Sequence, residues 1–199
     1  MFWDKVASIY DFFETVYNGT VYQNTGKIVA REINADDRVL ECACGTGAIS
    51  IHIAPKCRKL ICTDFSEPML RQTRKKLKKF NNVKFASADM NKLMFKDNTF
   101  DKVIAGNVIH LLDDPQSALS ELLRVCRHGG KVIIPTYINI ADGKKHHIVG
   151  LLEKLGADFK RQFDIDSYKK FFENAGCKDV KYCVICGRMP CALAFISKE

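Results

Sequence analysis

Glu41 lies inside an otherwise apolar run, "RVLECACGTG" (38–47), where a carboxylate is costly unless it has partners. Cys42, Cys44, Gly45 and Gly47 follow within six residues. Three chemistries use such a set: thiolate metal binding, thiol redox, or a glycine loop whose main-chain N–H groups approach a ligand. Cys42 and Cys44 are two apart, so on a strand they share one face, with Glu41 and Ala43 on the other. Cys183 and Cys186 have C-x-x-C spacing, but on a continuous strand they fall on opposite faces, and no second pair has metal-ligand spacing. Cys186 and Cys191 flank a four-residue turn, which would allow them to be cross-strand neighbours. No metal site is expected. Nine cysteines, odd in number and without disulfide spacing, read as small buried hydrophobes in a reducing compartment.

Two more acids favour the ligand loop. Asp64 ends the apolar run "KLICTD" (59–64), the position that meets ribose hydroxyls in nucleotide-binding folds. Asp89, in "ASADM" (86–90), ends the next such run. The plainer reading of both is that they cap the following helices.

The elements that must position these acids alternate in type. Strands are predicted at 38–44, 59–64, 83–88, 100–106 and 130–137, with helical patterns at 46–55, 66–80 and 115–127. Residues 1–33 read as helices: Val6, Ile9, Phe13, Val16 and Tyr17 share a face, and a second amphipathic run follows at 21–33. Helices at 144–157 and 166–175 precede two closing strands, "KDVKYCVICG" and "MPCALAFISK", which residues 187–190 join as an antiparallel hairpin. The expectation is one α/β domain over 1–199. It is a Rossmann-like, doubly wound seven-stranded sheet, mostly parallel with an antiparallel C-terminal hairpin and helices on both faces. Ligands bind such sheets beyond the carboxyl ends of the strands where strand order reverses, and the Gly45–Gly47 loop leaves the first strand there.

Apolar residues make up 47 % of the chain and charged residues 27 %, as in ordinary globular proteins. No apolar run approaches the roughly 20 residues of a membrane span, and the N-terminus lacks a signal-peptide pattern, so a cytoplasmic location is expected. The formal charge is +8, and its densest cluster is "RQTRKKLKKF" (71–80). It reads as a solvated helix face with Leu70, Leu77 and Phe80 inward, and no nucleic-acid partner is expected. An acidic small substrate or an anionic membrane surface stays open.

In order and spacing, "FWDKVASIYDFFE", "VLECACGTG", "TDFSEPML", "SADM", "FDKVIAGNVIHLLDDP" and "LLRVCRHGGKVIIP" resemble the class I S-adenosylmethionine-dependent methyltransferases. The likeness covers most of residues 1–136 and is greatest to the ubiquinone/menaquinone-biosynthesis group. It implies S-adenosylmethionine as cofactor and methyl transfer to a small-molecule acceptor, with oxygen, nitrogen, carbon and sulfur acceptors all compatible. It also implies an N-terminal helical lid (1–33), a cofactor-binding core (36–136) and an acceptor side (137–199).

The resemblance assigns roles to particular residues. Glu41 opens the cofactor loop and orients the amino-acid end of the ligand. Gly45 and Gly47 match the later loop glycines, and Ala43 stands where the first usually falls, adding one methyl group. Asp64 accepts from the ribose hydroxyls, with Phe65 and Met69 beside the adenine. Asp89 receives the adenine amino group, Met90 adds a backbone or packing contact, and Asn107 sits near the transferred methyl. His110 and Tyr10 are the candidates for proton handling; Tyr137, His146 and His147 lie where the acceptor pocket is lined. Trp3, Phe12, Phe13, Tyr17, Phe159 and Phe163 suit a hydrophobic acceptor or a lid core.

Three rival readings share parts of this pattern. A cofactor-binding protein without catalysis would keep the loop and the acids, because methyl transfer has no essential side chain. An arsenite methyltransferase would use the cysteines, but that group usually has an additional C-terminal domain. A nicotinamide-dependent oxidoreductase would share Asp64, yet Ser50 occupies the third-glycine position of G-x-G-x-x-G and Glu41 interrupts the apolar strand.

Overall fold

The computed structural model describes residues 2–7, 10–139 and 160–199, with backbone alone for 2, 5 and 10–15. Seven strands form one sheet: β1 (Arg38–Cys42), β2 (Lys59–Asp64), β3 (Val83–Ser87), β4 (Phe100–Ala105), β5 (Cys126–Tyr137), β6 (Val180–Ile185) and β7 (Cys191–Ser197). Their order is β3-β2-β1-β4-β5-β7-β6. Strands β1 to β5 pair in parallel, and β7 lies antiparallel between β5 and β6. Strand order reverses between β1 and β4, which places a ligand crevice above their carboxyl ends. This is the expected doubly wound sheet with its closing hairpin.

Six helices are described: α1 (Phe2–Val6), α2 (Tyr10–Val29), α3 (Ser50–Ile53), α4 (Glu67–Leu77), α5 (Pro115–Val125) and α6 (Ile165–Asn174). Helix α4 starts where Ser66 Oγ accepts the Met69 N–H, with Pro68 in its first turn. It buries Met69, Leu70, Thr73 and Leu77, one helical face. Asp114 caps α5 by accepting the Ser117 N–H, and Asp164 with Ser167 forms a capping box on α6. Successive strand residues enter two cores. Leu40, Val103 and Val132 join α5 and α6 on one face, while Val39, Ile104 and Ile133 join α2, α3 and α4 on the other.

Several local expectations change. Strand β1 stops at Cys42, and the chain turns at Ala43, so alternation fails and the two cysteines part. Cys42 packs in the α5–α6 core and Cys44 in the other, so they do not share a face. The helix predicted over 46–55 is only the single turn of α3, because the preceding residues form a tight loop. In α2, Asn18 leaves helical geometry (φ −137°, ψ 30°) and spends its side chain on the β6–β7 turn. Its Nδ2 donates to the Met189 carbonyl at 2.8 Å, and its Oδ1 accepts the Met189 N–H at 3.3 Å. Val16, just before the kink, is 66 % exposed rather than inward. The helix expected at 144–157 lies outside the described residues, as do Ile9, His146, His147 and Phe159. Among the described residues no helix is long and apolar enough to cross a membrane.

Candidate active site

The loop after β1 turns sharply, and three of its residues take left-handed backbone angles: Ala43 (φ 50°), Gly45 (φ 56°) and Gly47 (φ 82°). Glycine enters this region without penalty, whereas an alanine there costs about 1–2 kcal/mol. The two glycines serve different ends. A Cβ at Gly47 would come within 2.9 Å of Thr73 Cγ2, so this glycine lets the loop lie against α4. A Cβ at Gly45 would meet nothing within 4 Å. The loop is fixed from below: Cys44 N–H donates to the Thr63 carbonyl at 2.9 Å, and Thr73 Oγ1 donates to the Gly45 carbonyl at 2.6 Å.

Above the loop opens a cavity of about 350 Å³, within the range typical of ligand sites. Glu41, Ala43, Gly45, Asp64, Phe65, Met69, Asp89, Met90 and Asn107 all line it. Of the ten residues predicted to hold the cofactor, only Gly47 is absent from the wall, and its work is the contact with Thr73.

Glu41 is 2 % exposed and accepts a hydrogen bond from Ser50 Oγ at 2.5 Å. Burial pushes its carboxyl up to about 8; the nearby Asp64 charge adds to the rise and the Ser50 bond opposes it. Ser50, which spoils a dinucleotide fingerprint, is thus the partner of the buried acid. The sequence held no signal for this beyond a small polar residue at the next helix start.

Asp64 stands between the β1 loop and α4. Its Oδ2 accepts the Gly45 N–H and its Oδ1 the Ser66 N–H, both at 2.8 Å. Burial raises its pKa, and these two bonds work against the rise. Each oxygen keeps further acceptor capacity for a ligand hydroxyl. Asp89 is exposed at the rim, and its Oδ1 accepts the Asn91 N–H at 2.9 Å, so it closes a turn rather than capping a helix. Phe65 is 62 % exposed and Met69 is buried, so the two present an outer ring and an inner thioether to the cavity. Asn107 takes φ 53° after β4 and donates its N–H to the Pro135 carbonyl at 2.8 Å.

Of the proton-handling candidates, only His110 has a described side chain. His110 is buried, with Nδ1 3.3 Å from Thr136 Oγ1, and it is not among the lining residues. Burial lowers its pKa to about 4, so it is a neutral core histidine. Tyr137 does not line the cavity either. The backbone of Tyr10 opens α2, and its side chain lies outside the described atoms.

Other residues complete the wall. Trp3, Tyr22 and Thr25 come from α1 and α2, and Val108, Leu111 and Leu112 from the segment after β4. Trp3 is placed by its neighbour, since Asp4 Oδ1 accepts Ser66 Oγ at 2.6 Å and ties α1 to the start of α4. The signal for this was the cluster of N-terminal aromatics, which could not be told from lid core by sequence.

These residues fit an adenosyl amino-acid ligand. Two carboxylates at neighbouring strand ends face one cavity, an aromatic ring and a thioether border it, and Gly45 leaves its floor open.

Known proteins agree. The family model described as "Methyltransferase domain" matches residues 40–134. A demethylmenaquinone methyltransferase of Clavibacter sepedonicus is 34 % identical over 133 residues, which cover 66 % of this chain and 54 % of the relative. A phosphatidylethanolamine N-methyltransferase of Cereibacter sphaeroides is 35 % identical over 134 residues, 65 % of this chain and 64 % of that protein. The chain thus spans little more than half the length of the first of these relatives. In fold, it matches the crystal structure of magnesium protoporphyrin IX methyltransferase from Synechocystis PCC 6803 with bound SAH. That likeness has a TM-score of 0.70 at 17 % identity, covering 90 % of this chain and 84 % of that one. Sheet order, site and these likenesses together identify residues 40–134 as a methyltransferase domain of the class I kind, whose cofactor is S-adenosylmethionine.

Proposed function

We propose that this protein transfers a methyl group from S-adenosylmethionine to a small-molecule acceptor with an apolar body. The observation that carries the reading is the division of one cavity. Its acids, Glu41 and Asp64, lie at the ends of β1 and β2, and Val108, Leu111 and Leu112, from the segment after β4, add an apolar lining. When bound, the cofactor supplies a methyl already activated on a sulfonium. The chain's part is to hold and align the reactants and exclude water. Asp64, fixed by two main-chain N–H groups, is pre-set to accept hydroxyl donors, and Ser50 aims the Glu41 carboxyl. The apolar wall takes an acceptor's hydrocarbon part. The names of the two relatives refer to demethylmenaquinone and phosphatidylethanolamine, both lipid-like compounds, which supports the same reading. Where an acceptor must lose a proton, Tyr10 is the candidate, since His110 stays with Thr136 outside the wall.

Release of S-adenosylhomocysteine across quinol, phenol, amine and thiol acceptors tests this. Turnover with an apolar acceptor is expected, and Tyr10→Phe slows it only for acceptors that need deprotonation. Asp64→Ala weakens cofactor binding by about 1.5–3 kcal/mol, the worth of a hydrogen bond to a charged group. Cofactor binding with no product from any acceptor would favour a binding protein without catalysis. Binding of NAD in place of S-adenosylmethionine would sink the reading.

A further inference from the structure

Residues 55–85 hold ten Lys/Arg and two Asp/Glu, a surplus equal to the +8 of the whole chain. The sequence alone made this a solvated helix face. The fold joins it to cations from other elements. At the amino ends of β1, β2 and β3, opposite the cofactor cavity, lies a groove of about 440 Å³. It is lined by Arg38, Arg58, Lys59, Asn81, Asn82 and Lys84, with no acid and no apolar residue.

The groove is built on a fixed frame. Asn82 Nδ2 donates to the carbonyls of Ala54 and Cys57 at 2.9 and 2.8 Å, which holds the 54–58 segment as one wall. Arg58 N–H donates to the Asp37 carbonyl at 3.0 Å. The Asp37 carboxylate is engaged elsewhere, accepting the Asn34 N–H at 2.8 Å with the Lys102 ammonium at 4.0 Å. Helix α4 descends to the same rim, and Lys78 and Lys79, just past its end, are both exposed. Arg74 of α4 is paired with Glu67 at 2.5 Å and lies over Phe85, and Lys79 lies over Phe80, both rings packing against the core.

We propose that this groove and the adjoining end of α4 bind the phosphate backbone of a single-stranded nucleic acid. Converging cations call for an anion, and an extended one spans both groove and helix end. A bilayer fits less well. The apolar residues of α4 are buried, so nothing here inserts into lipid, and a membrane at this rim would hold the cavity mouth away from it. The site is independent of the methyl-transfer reading, since it shares no residue with the cavity.

The test is anisotropy of a short fluorescent single-stranded RNA with the whole chain, at 50 and 200 mM salt. Four phosphate contacts give a slope of about −3 in log affinity against log salt, a loss of roughly 50-fold over that range. Arg58→Glu with Lys84→Glu lowers affinity roughly tenfold or more and flattens the slope. Lys170→Glu with Lys181→Glu, an equal reversal of two exposed lysines at the far β6 side, leaves binding unchanged. Unchanged circular dichroism and thermal midpoint establish that both variants fold. The proposal is overturned by absence of binding at 50 mM salt, by equal loss in both variants, or by binding to phosphatidylglycerol vesicles but not RNA.

Discussion

The loops after β1 and β4 leave neighbouring strands where the sheet reverses, and they are built alike. Each places a non-glycine residue in the left-handed region, Ala43 at φ 50° and Asn107 at φ 53°. Each is accompanied by a buried titratable group beside a hydroxyl: Glu41 with Ser50, and His110 with Thr136. Burial drives both groups toward their neutral forms, Glu41 up to about 8 and His110 down to about 4. They part in what they face. Glu41 lines the cavity and His110 does not. A displaced pKa therefore marks burial, and only access to a cavity turns burial into a site.

The largest expected effect breaks the pair apart by function. Glu41→Gln keeps shape and removes the ionisable carboxyl, so above pH 8, where that carboxyl is charged, it should cost about 1.5–3 kcal/mol in S-adenosylmethionine affinity, roughly 10–150-fold. His110→Asn keeps a donor near Thr136 and should leave that affinity unchanged. Calorimetric titration of both variants decides: losses of similar size would show that the two loops act as one site.

A second test separates them by pH. Glu41 has an ordinary pKa of 4.5 and a folded one of about 8, so the folded chain holds more protons between these values. Its stabilising contribution is complete below 4.5 and is lost as pH rises to about 8. His110 runs the other way. Its pKa falls from 6.5 to about 4 on folding, so the unfolded chain binds more protons in that window. Its contribution is complete above 6.5 and is lost as pH falls to about 4. Each unit of displacement corresponds to about 1.4 kcal/mol. Urea unfolding across pH should show the alkaline decline flattened by Glu41→Gln and the acid decline by His110→Asn. The reverse pairing would refute the assignments.

What the sequence disclosed follows from how local each signal is. Strand positions and the acids at 41, 64 and 89 were legible because alternating apolar runs and acids at their ends are short-range patterns. The cavity wall from the N-terminal helices was not. Trp3 reaches it through the Asp4–Ser66 bond, which joins residues 62 apart, and Ser50 meets Glu41 only after the loop has folded back. Cys44 was assigned to the wrong face because the strand was extended through Ala43. His110 was placed at the mouth by its position after β4. Its side chain instead follows the short 3₁₀ turn Ile109–Leu111 toward Thr136. The cationic groove was half visible, since the helix run stands in one stretch while Arg38 and Lys84 join it through the sheet.

The smallest effect tests the backbone likeness of the two loops. Ala43 bears a left-handed cost of about 1–2 kcal/mol, and replacing it with glycine removes that cost. The added freedom of the unfolded chain returns about 0.4–1 kcal/mol of the gain. Ala43→Gly should therefore stabilise by about 0.5–1 kcal/mol, raising the thermal midpoint by roughly 1–4 °C for a chain of this size. Asn107 is a different residue at nearly the same φ, and asparagine tolerates this region far better. Asn107→Gly recovers little strain and gives up the side chain, whose Oδ1 accepts the Cys191 thiol at 4.0 Å. Its midpoint should stay level or fall. In thermal unfolding only the Ala43→Gly midpoint should rise; a rise in both would mean that Asn107 is as strained as Ala43, and that strain at this crevice is shared by its two loops rather than concentrated at the position where the resemblance expects the loop's first glycine.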